Sequence, residues 1–456
     1  MFDKLEKILA YDNVFLSGGA GVGKSFLTNE LIKSYRKQKK LAIALGSSAL
    51  SAFNIGGVTL HSFFCLGYCD DMMKLSVLDR NQKQKEKLTK LKELLKTIEL
   101  IIIDEISMVS ANVFEMIGFR LKNSQFNGKI LVVGDFFQLP PVIKEKKETL
   151  FNHSYYAFSS FFWQDLNFKN IKLSQPKRTQ NMEFYNHLSL IRQGFLDEKI
   201  LSFFESLRID YKELENLEDD YTLLCGINKK VNNINQEKLS KLETPLVCFK
   251  AQVKKEDKRI KDEELDSWIR SLNILEELNI KIGARIIFCV NNWDKNYYNG
   301  EQGIIEDILY EEEKIYISII KNNGMKILLE PYTFFMEELE QSGKDFVVNI
   351  LASVTQFPIK LAYAITIHKS QGMSIEKLVC DIDHIFENGQ LYVALSRATN
   401  PNTLKIYSTK KINFGFYFAN ILKIDSNVIE FYKKHNFLDL EIQEQIICKG
   451  YFKKNM

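Results

Sequence analysis

The sequence predicts an α/β protein with two parallel-sheet domains, the second interrupted by a small β-module. Three observations carry that reading. Apolar runs alternate with glycine-containing loops and helix-like stretches up to about residue 140, the pattern of a parallel sheet covered on both faces. Strand-like runs separated by Asn-Gly turns then occupy 283–348, the profile of a small barrel or antiparallel module. From 350 to 408 the α/β alternation returns, so the module reads as an insertion into a second sheet domain.

Taken in order, 13–16 is an apolar strand that runs into a glycine loop and a helix over 24–37. Further strands, apolar on both faces, are expected at 41–45, 100–103 and 129–133. A polar insert at 66–98 places Leu88, Leu91, Leu95 and Ile98 at helical spacing. Lys83, Lys85, Lys87, Lys90, Lys92 and Lys96 crowd the same stretch, either as a solvated helix face or as a phosphate-contacting patch. Residues 150–225 read as largely helical, and the charge-dense 254–266 as a surface loop or helix start. Runs at 284–290 and 314–320, with turns at Asn299-Gly300 and Asn323-Gly324, form the β-module. Strands near 377–381 and 403–407 return to the second sheet.

Composition narrows the function classes. With 456 residues, 45 % apolar and 26 % charged, the chain suits two to four compact units rather than wholesale disorder. Sixty-one Lys and Arg against 58 Asp and Glu give +3, which neither demands nor excludes a nucleic-acid partner, because a binding groove needs local potential. The seven cysteines, at 65, 69, 225, 248, 289, 380 and 448, are scattered and form no Cys-x-x-Cys. They read as small buried hydrophobes in a reducing cytoplasm. No run approaches the ~18 apolar residues of a membrane span, and the opening MFDKLEKILA lacks a signal-peptide core. A cytoplasmic protein is expected.

The chemistry begins at 18–25. GGAGVGKS fits G-x-x-x-x-G-K-[ST] between a strand and a helix. Backbone N–H groups of Gly19, Ala20, Gly21, Val22 and Gly23 must turn inward around phosphate oxygens, which glycines allow and a Cβ would block. The helix N-terminus adds positive dipole. Lys24 is expected to reach the β- and γ-phosphates and Ser25 to ligate Mg²⁺. Phe26, next on the helix, and Gly372, in a later cluster, complete the expected cofactor-binding set.

At 101–105 an apolar strand ends in Asp104 and Glu105, so both carboxylates emerge at the sheet edge where α/β ligands bind. Asp104 would hold Mg²⁺ through water, and Glu105 would orient and deprotonate the attacking water. A third strand ends in LVVGDFFQLPP at 131–141. Its Gln138 can hydrogen-bond a γ-phosphate or the lytic water, as a sensor coupling nucleotide state to movement. Arg178, in LSQPKRTQ, and Arg397, in YVALSRAT, are candidates to reach the γ-phosphate. Thr366, His368, Lys369, Ser370 and Gln371 gather phosphate-binding side chains at a strand-to-helix junction. Thr59 and His61 couple with Phe63 and Phe64, aromatics that either stack on bases or belong to the core.

Together these residues resemble a superfamily 1B helicase, specifically the petite-integration-frequency (Pif-type) family of 5′→3′ DNA helicases, close to the RecD-like enzymes. The pieces are GGAGVGKS (18–25), ALSAFNIGGVTLHSF (49–63), IIIDEISMVS (101–110), GKILVVGDFFQLPPV (128–142), the arginine at 178, AYAITIHKSQGMSI (362–375) and LYVALSRAT (391–399). GARIIF…NN…NGEQG (283–303) resembles the start of that family's SH3-like module.

The resemblance covers about residues 10–408 and implies two RecA-like domains. The first would comprise 1–65 and 99–145 with an insert at 66–98. The second would comprise 146–282 and 351–408 with an SH3-like insert at 283–350, followed by a C-terminal extension, 409–456, packed on the second sheet domain.

The same resemblance implies ATP and Mg²⁺ as cofactors, closure by Arg178 and Arg397, and single-stranded DNA gripped by Ser47, Ser48, Thr59, His61, Phe63 and the 366–371 cluster. It implies a monomer that unwinds tailed duplexes in replication, recombination or repair, with G-quadruplexes and RNA–DNA hybrids as further substrates. Two departures stand out. Residues 1–12 contain no glutamine of the kind that reads adenine, and Ser47-Ser48 replaces a Pro-Thr-Gly type loop. An RNA-directed helicase, a non-unwinding P-loop remodelling ATPase and a DNA-binding protein with a dead ATPase are the alternatives.

Overall fold

Every residue of Val14–Gly18 is buried, as are all of Leu100–Asp104 and nearly all of Lys129–Gly134 and Ala42–Gly46. Strands apolar on both faces must lie inside a sheet covered on both sides. A computed structural model describes residues 1–48, 51–52, 55–67, 69–142, 155–218, 220–258, 260–272, 274–290, 292, 294–311, 314–342 and 345–441. In it seven strands pair in parallel. Their order is Leu438–Asp439, Lys169–Leu173, Val14–Gly18, Lys129–Gly134, Leu100–Asp104, Ala42–Gly46 and Val58–Thr59. All their C-terminal ends therefore share one edge. The Lys24–Lys37 helix buries Leu27, Leu31, Ile32 and Tyr35 in the core of this sheet.

The insert at 66–98 forms two helices, Met72–Leu78 and Gln82–Leu95, each started by a side-chain cap, from Asp71 and Asn81. Leu91 and Leu95 are buried and the six lysines are exposed, as the helical spacing requires. Arg120 anchors the insert. Its guanidinium takes Asp79 at 2.6 and 2.7 Å while donating to the Phe64 carbonyl at 3.1 Å.

The chain divides into two compact units, one formed by Met1–Tyr185 with the C-terminal residues from Ile424, the other by Asn186–Lys423. This corrects two expected boundaries. Residues 155–185 continue the first unit, because Lys169–Leu173 pairs with Val14–Gly18. The described part of the C-terminal extension divides: 409–423 stays with the second unit, while 424–441 joins the first. Phe431, from the Ser426–Lys434 helix, packs against Phe15, Phe136 and Phe158, and Leu438–Asp439 extends the first sheet. Residues 442–456, with Cys448, lie outside the described residues, as do Ala49, Leu50, Phe53, Asn54 and Asn291 of the quoted motifs.

In the second unit Ala364–Thr366, Thr222–Cys225, Leu378–Asp381, Leu404–Tyr407 and Arg208–Ile209 form a parallel sheet in that order. The antiparallel strands run from Val247 to Leu361, more widely than the expected 283–350. The reason is pairing: Gln252–Lys255 joins Asp345–Gln356, and Ile359–Leu361 closes on Arg285–Phe288. Cys69, Cys225, Cys289 and Cys380 are buried as expected, whereas Cys248 is exposed.

Candidate active site

Of the sequence-predicted nucleotide residues, 19–26, Asp104, Glu105, Gln138 and Arg178 lie along the edge carrying the strand ends of the first sheet, whereas Gly372 and Arg397 belong to the second unit. Gly21 and Gly23 sit at φ 74° and 93°, the left-handed region that glycine enters without strain, and this curls the loop. Lys24 donates to the carbonyls of Gly18 at 2.6 Å and Gly19 at 2.9 Å, lying across the loop from the first turn of its helix. Ser25 is exposed at the helix start and Phe26 is 72 % exposed.

Asp104 and Glu105 follow on Leu100–Asp104. Burial and the neighbouring Glu105 carboxylate push the Asp104 carboxyl up to about 7, against the opposing pull of the Glu105 N–H and the Lys24 ammonium. Lys24, Asp104 and Glu105 are therefore one electrostatic group. Glu105 itself adopts φ 51°, ψ 49°, a left-handed conformation costing about 1–2 kcal/mol outside glycine. That turn ends the strand and aims the Glu105 N–H at Asp104 Oδ1 at 2.9 Å.

Gln138 is buried in the turn after Lys129–Gly134, which runs beside the P-loop strand. Asp135 builds this turn, its carbonyl accepting the Gln138 N–H at 2.9 Å and its carboxylate the Phe137 N–H at 3.2 Å. Arg178 lies in the loop after Lys169–Leu173. Lys177 and Arg178 both donate backbone N–H groups to the Gly21 carbonyl, at 2.7 and 3.1 Å. A Cβ on Gly21 would stand 2.5 Å from that of Arg178, so glycine is required there for space as well as for φ.

The predicted DNA-contacting residues divide. Thr59 caps the short Leu60–Phe63 helix through the Ser62 N–H at 3.3 Å, and His61 is half-buried, its pKa lowered by desolvation. Phe63 is 7 % exposed and packs edge-on against Phe64, so it belongs to the core and does not offer a face to a base. Ser48 is knitted into a local turn with Ser51, at 3.0–3.3 Å, and Ser47 approaches the same hydroxyl at 3.5 Å.

In the second unit Thr366 and Ser370 are buried. Ser370 donates to the Ile367 carbonyl at 2.7 Å, and Thr366 accepts the Lys369 N–H at 3.4 Å. They build the turn that presents Lys369 and Gly372, which are exposed. Gln371 is buried in the same turn. His368 contacts the Glu387 carboxylate at 2.8 Å, a partner no motif indicated.

Arg397 is 1 % exposed. It donates to the carbonyls of Val393 at 2.9 Å and Ser370 at 3.3 Å and to Ser396 Oγ at 3.0 Å. In this structure it ties the 368–373 turn to the Gln390–Leu395 helix, where the sequence reading expected a guanidinium held out toward phosphate.

A family model described as PIF1-like helicase matches residues 6–199, and a second, described as helicase, matches 288–410. The ATP-dependent DNA helicase Pif1 of Bdellovibrio bacteriovorus is 30 % identical over 436 residues, spanning 94 % of this chain and 90 % of that protein. The chain belongs to the PIF1-like helicase family. Other relatives are longer, the chain spanning 65 % of one and 55 % of another. The crystal structure of Bacteroides sp Pif1 in complex with ADP-AlF4 matches this Pif1-like chain with a TM-score of 0.78 at 29 % identity, covering 95 % of this chain and 96 % of that one. Bacteroides Pif1 bound to ssDNA matches with a TM-score of 0.63 at 29 % identity, covering 95 % of each. Both known chains carry the two-sheet α/β fold that the Pif1-like sequence predicts.

Proposed function

We propose that this chain is an ATP-dependent DNA helicase that moves 5′→3′ on single-stranded DNA and unwinds tailed duplexes. One observation carries most of the weight: Lys24 at its helix start and Asp104 and Glu105 at their strand end lie on one sheet edge, with Gln138 and Arg178 on loops of the same edge. A phosphate cradle, a cation-binding carboxylate, a base and a phosphate sensor are the parts that nucleotide hydrolysis needs. Family membership directs that chemistry to DNA.

The residues present fit Mg²⁺. The Asp104 carboxyl at its strand end and the exposed Ser25 hydroxyl beside Lys24 are the oxygen donors that this small cation takes along with water and phosphate. Ser25 and Asp104 would hold it, and it would neutralise charge developing on the phosphates. Among the described residues no group of three or more His, Cys, Asp and Glu forms a metal cluster. Among them also no helix is long and apolar enough to cross a membrane. Exposed Lys369 is the leading DNA-phosphate contact of the second unit. A monomer in solution is part of the same reading, and sedimentation of the purified chain checks it.

ATP hydrolysis measured with and without single-stranded DNA tests the proposal. Turnover should require Mg²⁺ and rise with DNA, and RNA should compete poorly for that stimulation. Equal turnover with and without nucleic acid would mean a remodelling ATPase instead.

A further inference from the structure

A tyrosine from the Ser426–Lys434 helix joins the ends of the two strands that carry the P-loop and Gln138. The Tyr432 hydroxyl lies 2.6 Å from Ser17 Oγ and accepts the Phe136 N–H at 3.4 Å. Its ring stacks on Phe137 with centroids 4.6 Å apart and planes 17° from parallel. Ser17 pairs with Gly134 in the sheet, so the phenol bridges neighbouring strand ends, next to Gly18 on one side and beside the Gln138 turn on the other. Ser17, Phe136 and Phe137 are buried, so these bonds have little competition from water.

A second tie lies farther along the same segment. Glu441 Oε2 accepts the N–H groups of Gln175 at 2.8 Å and Ser174 at 3.2 Å, and Oε1 stands 3.9 Å from Lys177 Nζ. Leu438–Asp439 pairs with Lys169–Leu173, which fixes this carboxylate where the loop leaves the sheet. That loop ends in the two backbone N–H groups, of Lys177 and Arg178, that hold the Gly21 carbonyl. Hydrophobic anchoring of the segment is already supplied by Phe431 among Phe15, Phe136 and Phe158. The polar bonds of Tyr432 and Glu441 go instead to the backbone and side chains framing the nucleotide loop.

We infer that residues 426–441 are a positioning element of the nucleotide site. Tyr432 sets the 135–138 turn against the P-loop strand, and Glu441 sets the Arg178 loop over Gly21. The inference rests on the ATP reading above. Movement of the Gln138 turn must break or carry along the Tyr432 contacts, so this helix shares in any change that the nucleotide causes there.

The full chain carrying Tyr432→Phe, Ser17→Ala, both together, Glu441→Ala or Glu441→Gln tests this. The readouts are ATPase kcat and KM with single-stranded DNA, and thermal unfolding. Tyr432→Phe keeps the stacked ring and should lower kcat about fivefold, the rate equivalent of one ordinary hydrogen bond, with KM and Tm nearly unchanged. Ser17→Ala should cost no more than Tyr432→Phe, because it leaves the Phe136 N–H its acceptor, and the double variant should be no worse than Tyr432→Phe alone. Glu441→Ala should raise KM for ATP about fivefold, whereas Glu441→Gln, which keeps an acceptor, should stay near wild type.

Unchanged kcat in Tyr432→Phe together with unchanged KM in Glu441→Ala overturns the inference. So do losses that only follow a lowered Tm. Wild-type turnover beside indifferent variants defeats this inference alone, and a wild-type chain that hydrolyses no ATP defeats the nucleotide reading on which it stands.

Discussion

The nucleotide edge of the first unit and the 364–397 region of the second carry similarly dense motifs, yet their polar side chains do different work. On the first edge Lys24, Asp104 and Glu105 interact with one another, and Arg178 is brought to the loop by its own backbone. In the second region Thr366, Ser370 and Arg397 are buried and satisfied by neighbouring carbonyls, N–H groups and hydroxyls, leaving exposed Lys369 at the tip of the turn they build. A motif rich in donors can thus be a scaffold that leaves one charged side chain exposed. Hydroxyl and guanidinium groups that suit phosphates suit backbone carbonyls equally well.

The largest effect expected of that contrast is at Lys24. Lys24→Ala should cost at least about 1,000-fold in ATPase turnover, far more than the modest drop in Tm expected from losing its bonds to the Gly18 and Gly19 carbonyls. Glu105→Gln should lower kcat by about 100-fold or more while a fluorescent ATP analogue still binds, because the amide keeps shape but cannot take a proton. Normal turnover in this variant would assign the base elsewhere.

Arg397 is where the two regions could be confused. Arg397→Ala should destabilise the fold by about 3 kcal/mol, since buried carbonyls and a buried hydroxyl lose their charged donor, and denaturant titration reads this directly. Full stability with abolished ATPase would instead make it a γ-phosphate ligand that leaves these bonds in the working cycle. Lys369→Ala carries the smallest effect: weaker binding to every single-stranded sequence alike, with the salt slope reduced by about one. Ser370→Ala should leave that slope untouched.

The division between legible and hidden follows the same contrast. The P-loop, the Asp104-Glu105 strand end and the Lys24–Lys37 helix were readable because glycine spacing, apolar runs and helix period are local signals. The lysine-rich insert was readable as a helix for the same reason, with Leu91 and Leu95 turned inward. What the sequence hid is long-range. Strand Lys169–Leu173 has an alternating, half-exposed pattern at the sheet's side and sat unnoticed within an apparently helical tract. Tyr432 is one of 19 tyrosines, Glu441 one acid among many, and neither stands in a motif. Only tertiary pairing brings them to the loops at 135–138 and 174–178. Phe63 and Ser370 show the opposite failure, correct motif members whose side chains the core and the backbone had already claimed.

Unwinding of matched duplexes with a 5′ or a 3′ single-stranded tail, in ATP and Mg²⁺, tests the central claim most directly, with Glu105→Gln as the paired control. The account predicts that wild-type chain separates the 5′-tailed duplex, leaves the 3′-tailed one intact, and that Glu105→Gln separates neither. Unwinding of the 3′-tailed duplex alone would contradict the polarity, and unwinding by Glu105→Gln at the wild-type rate would contradict the assignment of the first unit's edge as the motor.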